Sequence, residues 1–155
     1  LPAPQPGNNP NENNTLEELV DTAAVRSPFD VTLVGAELPV LMPAQLEYYA
    51  ADPYAVTAVF NTGDRPIRWV FARDLLDEGL VHDVGDGDIQ IVPSRDPLGV
   101  HVLQLRLSSP DGVAVLEASA DVILEFLGRS YALVPPGTES AFVDMDDTIT
   151  RLLTD

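Results

Sequence analysis

An α+β domain of about seven antiparallel strands with three or four short helices is what this sequence predicts, and three observations carry it. From residue 29 onward apolar residues recur mostly with period two. The alternating stretches are short and are separated by turn residues, chiefly Gly, Asp, Asn and Pro. A few stretches replace the alternation with an apolar stripe of helical spacing.

The elements follow in order. Residues 1–14 are rich in Pro and Asn and predict a flexible tail. Thr15-Leu16-Glu17-Glu18 fits a capping box, with Glu18 reaching back to Thr15. Leu16, Leu19 and Val20 then form one stripe, so a short helix over 15–24 is expected; a helix this short needs something to dock on. At Phe29 the period changes: Phe29, Val31 and Leu33 alternate with Asp30, Thr32 and Val34. Further strands are expected at 46–50, 55–61, 66–71, 88–92, 100–108 and 113–118. In the stretch 100–108, Leu103, Leu105 and Leu107 point one way and Gln104 and Arg106 the other, the mark of a half-buried antiparallel strand. His101 is in step with Leu103, which predicts a structural histidine on the apolar face. Helices are expected over 72–80, ended by Gly79, and over 119–131, ended near Gly128. The second carries Val122, Ile123, Phe126 and Leu127 on one stripe, with Ser119 as its cap and Asp121 near its positive end. A last helix is expected over 146–153. Ser109-Pro110-Asp111-Gly112 supplies a hairpin turn, Gly112 taking the left-handed conformation. Consecutive strands with short turns make an antiparallel meander. Residues 1–28 therefore read as an N-terminal extension and 29–155 as one domain.

Composition bounds the function. A chain of 155 residues buries roughly two-thirds of its unfolded surface, enough for one core. No apolar run approaches the ~20 residues that span a bilayer, and the start shows no signal peptide, so a cytoplasmic setting is expected. With no cysteine, disulfides, thiol catalysis and thiolate-bound zinc are excluded. Twenty-five carboxylates face eight basic residues, all arginine, for a net charge of −17. That charge opposes nucleic-acid phosphates and anionic lipid and favours encounter with a basic protein segment.

Chemistry-bearing constellations do not assemble in the sequence. His82 and His101 are far apart, and no Gly-x-Ser-x-Gly elbow occurs. Gly85-Asp86-Gly87-Asp88 has neither the lysine nor the helix start of a phosphate loop. Asp83, Asp86 and Asp88 resemble part of a calcium loop but lack its later glutamate and flanking helices, so a solvated turn is expected. Asp144, Asp146 and Asp147 precede the last helix and suit its N-terminus. No two carboxylates are singled out as an acid/base pair. Neither an enzyme nor a cofactor is expected. The alternative is a single-stranded nucleic-acid binder that stacks bases on Tyr54, Trp69 and Phe71, but scattered arginines supply no basic groove. Tyr48 and Tyr49 put one ring on each face of a strand, so at least one is exposed or used in a subunit contact.

Several stretches resemble the SsgA-like family. They are Asp52-Pro53-Tyr54-Ala55-Val56, then Trp69-Val70-Phe71-Ala72-Arg73-Asp74-Leu75-Leu76 with Glu78-Gly79-Leu80. Gly87-Asp88-Ile89, Pro93-Ser94-Arg95, Leu107-Ser108-Ser109-Pro110-Asp111-Gly112 and Val134-Pro135-Pro136-Gly137-Thr138-Glu139 follow in the family's order, over about 29–153. The resemblance implies a small cytoplasmic protein of whirly-like fold, a homotrimer found at the division septum. It further implies a role in controlling where and when filamentous actinobacteria divide during sporulation. Implied partners are the tubulin-like FtsZ, whose recruitment and filament assembly one member type promotes, and other SsgA-like or septum proteins, with neither nucleic acid nor membrane insertion. Typical members begin close to the first strand, so the first 28 residues depart from the pattern. The candidate partner contacts are Tyr48, Tyr49, Tyr54, Arg73, Asp74 and Arg95. Arg73 and Asp74 open a short helix and are expected to pair structurally or to meet the partner, and Arg95 lies in a loop.

Overall fold

The computed structural model describes residues 23–35 and 37–143. Its elements are β1 (Ala24–Val34), β2 (Val40–Tyr49), β3 (Ala55–Asn61), β4 (Pro66–Ala72), α1 (Arg73–Gly79), β5 (Ile89–Arg95), β6 (His101–Ser109), β7 (Gly112–Ser119) and α2 (Ala120–Leu133). A short helical turn covers 139–143. The tail at 1–14, the 146–153 helix and Asp144, Asp146 and Asp147 lie outside the described residues. So does the 15–24 helix up to residue 22; Ala24 already belongs to β1, five residues before the expected start of the first strand.

Among the described residues the strands form one antiparallel sheet in the order β4-β3-β2-β1-β7-β6-β5. The expected meander is thus two meanders, β1 to β4 and β5 to β7, sewn together where Thr32, Leu33 and Val34 pair with Glu117, Leu116 and Val115. One face collects the apolar half of every alternation. Val31, Leu46, Val56, Ala58, Ile91, Leu103, Leu105 and Leu116 on it are all but inaccessible. The sheet curls around this face. α2 lies across β1, β6 and β7 and buries Ile123, Phe126 and Leu127, spaced as one helical stripe. Each such side chain contributes roughly 1.5–3 kcal/mol.

α1 joins the two ends of the sheet, touching both edge strands. Its Leu76 is fully buried and its Gly79 lies flat on β5, where an added Cβ would sit 2.8 Å from Ile91 Cβ. Beyond it Gly85, at φ +100°, has Gln90 Cα 2.9 Å from where a Cβ would be, and Val84 bridges to Ile91.

Three local expectations change. Ser119 stands at the N-cap of α2 with its backbone extended but makes no side-chain capping bond. α2 continues through Gly128 to Leu133, because an exposed helical glycine costs only about 1 kcal/mol, and it ends before Pro135-Pro136. His101 is exposed: it is the first residue of β6, paired only with Arg95 at the open end of the sheet.

Candidate functional site

The main polar construction of the molecule is built on Arg73, the first residue of α1. Its backbone N–H donates to the Tyr54 carbonyl at 2.8 Å, which holds the β2–β3 turn against the end of β4. Its side chain is 1% exposed and runs inward under α2. There Nη1 donates at 2.9 Å to the carbonyl of Val134, the residue that ends that helix, and at 3.2 Å to the carbonyl of Ser130, which also accepts the Val134 N–H. Nη2 donates to Glu139 Oε1 at 2.8 Å. The guanidinium also faces the rings of Tyr48 and Tyr131, 4.7 Å and 4.8 Å from their centroids.

The remaining bonds close the knot. Glu139 Oε2 accepts from the Gly137 N–H at 2.9 Å, which folds the Pro135–Thr138 turn onto it. Its own backbone N–H, with the Arg73 guanidinium and the Gly137 N–H, holds the Glu139 carboxyl below its ordinary pKa against the opposing effect of burial. Tyr48 O–H donates to the Pro53 carbonyl at 2.8 Å. Burial pushes the Tyr48 phenol up to about 12, with Arg73 opposing. Burial, and then the neighbouring Asp77, do the same for Tyr131, again to about 12. The stretches around Pro53 and Glu139, far apart in sequence, are therefore joined through Arg73, the first by its backbone N–H and by Tyr48, the second by its guanidinium.

Of the six residues expected to meet a partner, two are corrected by this geometry. Tyr48 is fully buried and Arg73 nearly so, because the strand phase turns Tyr48 into the core and the helix start aims Arg73 under α2. Arg73 pairs with Glu139 and not with Asp74, which stays exposed on the outer side of α1. Tyr49 is half-buried on the opposite sheet face, Tyr54 is 52% exposed, and Arg95 is exposed with Nη1 donating to Gly99 O at 3.1 Å. Asp74 and Tyr54 come near each other through the Arg73 N–H bond to the Tyr54 carbonyl, whereas Tyr49 and Arg95 sit at the ends of β2 and β5. Phe71 is buried and Trp69 packs half-buried against the core, so neither offers a stacking platform.

A second cluster lies on the outer face of β1 to β4. Glu47 is 6% exposed although its side chain points away from the core. It accepts from Tyr49 O–H at 2.7 Å and pairs with Arg68 Nη1 at 3.5 Å. Burial and that bond raise the Tyr49 pKa. Arg26 stands 5.4 Å from the Tyr49 ring centroid. The sequence reading missed Glu47, Arg68, Ser130, Tyr131 and Glu139. Only Glu47 was visible in principle, as a carboxylate in a strand bordered by Leu46 and Tyr48. Among the described residues, no three acids or histidines come together in a way that could hold a metal ion.

Comparison with known proteins covers the same body. The family described as Streptomyces sporulation and cell division protein, SsgA, matches residues 42–139, which include every partner of Arg73. The sporulation-specific cell division protein SsgB of Kineococcus radiotolerans is 53% identical over 123 residues, 79% of this chain and 73% of that protein. SsgB of Streptomyces coelicolor is 48% identical over 122 residues, 78% of this chain and 88% of that one. A solved SsgA-like sporulation-specific cell division protein from Thermobifida fusca superposes with a TM-score of 0.77 at 38% identity, over 83% of this chain and 94% of its own. A solved chain from work on SsgB mutations and longitudinal cell division in Streptomyces coelicolor gives 0.73 at 47% identity, over 77% and 94%.

Proposed function

The chain belongs to the SsgA family of sporulation and cell division proteins, and from that premise we propose that it is a non-enzymatic regulator that helps to position and assemble the FtsZ septum through protein–protein contacts. The observation that carries this reading is the family match over residues 42–139, together with about half identity over 122–123 residues to proteins named as sporulation-specific cell division proteins. The interior chemistry supports it. The charged groups of the Arg73 knot are engaged in holding turns and helix ends, which suits a rigid surface more than a reacting centre. In this proposal the protein works in the cytoplasm at the septum, as a homotrimer, with FtsZ and other septum proteins as partners. No helix among the described residues is long and apolar enough to cross a membrane.

Co-sedimentation tests the proposal. Purified FtsZ is polymerised with GTP, with and without this protein, and pelleted. The expected result is co-pelleting and more polymer. An unchanged pellet with all of this protein left in the supernatant refutes it.

A further inference from the structure

We propose that the outer edge of β4 accepts an extended segment of a partner protein as an additional antiparallel strand, basic at its N-terminal end, apolar in its middle and acidic at its C-terminal end. Among the described residues β4 closes one side of the sheet and pairs only with β3. The Arg73 N–H bond to Tyr54 O fixes the phase of that ladder. In an antiparallel pair every second residue bonds its neighbour, so Phe71, Trp69 and Ile67 face β3. Arg68, Val70 and Ala72 then turn their N–H and C=O groups outward. Among the described residues nothing meets those of Arg68 and Val70 or the Ala72 N–H; the Ala72 C=O, at the N-cap of α1, accepts the first bond of that helix.

The opposite edge is treated differently. Val84 exchanges two backbone bonds with Ile91 of β5, both 2.9 Å, Pro93 within the strand has no N–H to offer, and α1 lies on it. These are the usual ways of blocking an edge. β4 has only Pro66, at its first residue. Its side chains also suit an added strand. Ile67 and Val70, on opposite faces, are 42% and 64% exposed. Backbone bonds give such a strand its affinity and flanking side chains its specificity.

Charge sets the direction. From Arg65 to Ala72 the charges are Arg65 and Arg68, both exposed, with the exposed Asp64 just before them in the turn. Glu47 is already shared by Tyr49 and Arg68. At the other end Asp74, Asp77 and Glu78 stand exposed on α1. An antiparallel strand starts beside α1 and ends beside Arg68 and Arg65, which calls for bases first and acids last. A second copy of β4 carries the same order, but an antiparallel β4–β4 pair is a two-fold contact, which the proposed homotrimer does not use.

The test uses the full chain and two fluorescent octapeptides of equal composition. Both alternate valine with threonine in the middle. One has two arginines at its N-terminal end and two glutamates at its C-terminal end; in the other these ends are exchanged. Both are neutral, so the net charge of the protein favours neither. Anisotropy is expected to show the first peptide binding at least about tenfold more tightly than the second. Val70→Pro, which removes one outward N–H at an edge position, is expected to weaken it about tenfold or more, while Val70→Thr retains it. Arg68→Glu, which leaves the backbone unaltered, is expected to remove the preference between the peptides. Equal binding of the two peptides, binding of neither, or full binding by a folded Val70→Pro protein overturns the proposal. So does a concentration-dependent dimer that Val70→Pro abolishes while neither peptide competes with it, since the edge would then belong to a second copy.

Discussion

Replacing Arg73 by methionine keeps the apolar stem and deletes the guanidinium. The change strands the carboxylate of Glu139, a residue 8% exposed, and removes a donor from the Val134 carbonyl at the end of α2, while the Ser130 carbonyl keeps the Val134 N–H. It also removes the cation from between the Tyr48 and Tyr131 rings. Removing one partner of a buried ion pair costs about 3–5 kcal/mol, mostly from the charge left behind. Lost cation–π contact adds ~0.5–2 kcal/mol without being strictly additive. A loss of about 4 kcal/mol is therefore expected, a large part of the ~5–15 kcal/mol typical of a domain. Urea unfolding followed by Trp69, the single tryptophan, measures it. The double change Arg73→Met with Glu139→Gln removes the stranded charge and should recover about 1–2 kcal/mol of the loss. A single-variant loss below about 1 kcal/mol at unchanged denaturant slope, or a double variant no more stable than Arg73→Met, refutes the account of the knot.

Three further outcomes follow from the same interior. The Glu139 carboxyl is held below its ordinary value of 4.5, so its contribution to stability is complete above that value and falls away as the pH drops through the lower folded value. Glu139→Gln should flatten that part of the acid limb in pH-dependent urea unfolding. Tyr48 and Tyr131 are raised from 10.0 to about 12, so the stability that depends on their neutral phenols is intact below pH 10 and lost as the pH rises through 12. Phenolate absorbance should show two of the four tyrosines ionising that late, and Tyr48→Phe, losing the bond to Pro53, should cost about 1 kcal/mol. Gly79→Ala forces a methyl into Ile91 and should cost ~1–3 kcal/mol in urea unfolding, despite the better helix propensity of alanine.

Period-two patterning made most of the sheet legible. The bounds of β3 agree with the alternation Val56, Ala58, Phe60, and β4 differs by one residue. The first halves of β1 and β2 were not legible, and proline is the reason. Pro28 and Pro43 argue against strand, yet both lie where the strand lacks a neighbour on one side. β1 meets β7 only from Thr32, and β2 meets β3 only from Ala44. Local pattern cannot show which neighbours a strand has. The same limit hid the knot. Arg73 reads as the first residue of a short helix beside Asp74, and nothing near it in sequence announces Glu139 or the carbonyls at the end of α2. Two residues offered as partner contacts, Tyr48 and Arg73, instead fix the core. Tyr49, Tyr54, Asp74 and Arg95 remain on the surface.

The place of β1 has a consequence for biosynthesis. It is among the earliest described residues to leave the ribosome, yet its second neighbour, β7, is nearly the last. The nascent chain can zip β1 to β4 through local hairpins, but the half-sheet then waits with its apolar face bare and the Thr32–Val34 edge unpaired until Val115–Glu117 arrives. Such contacts of high sequence separation slow folding and expose the intermediate to misassociation. The growing chain is already acidic at that stage, with nine carboxylates against three arginines through Ala72, and the resulting net charge of −6 opposes association of such intermediates.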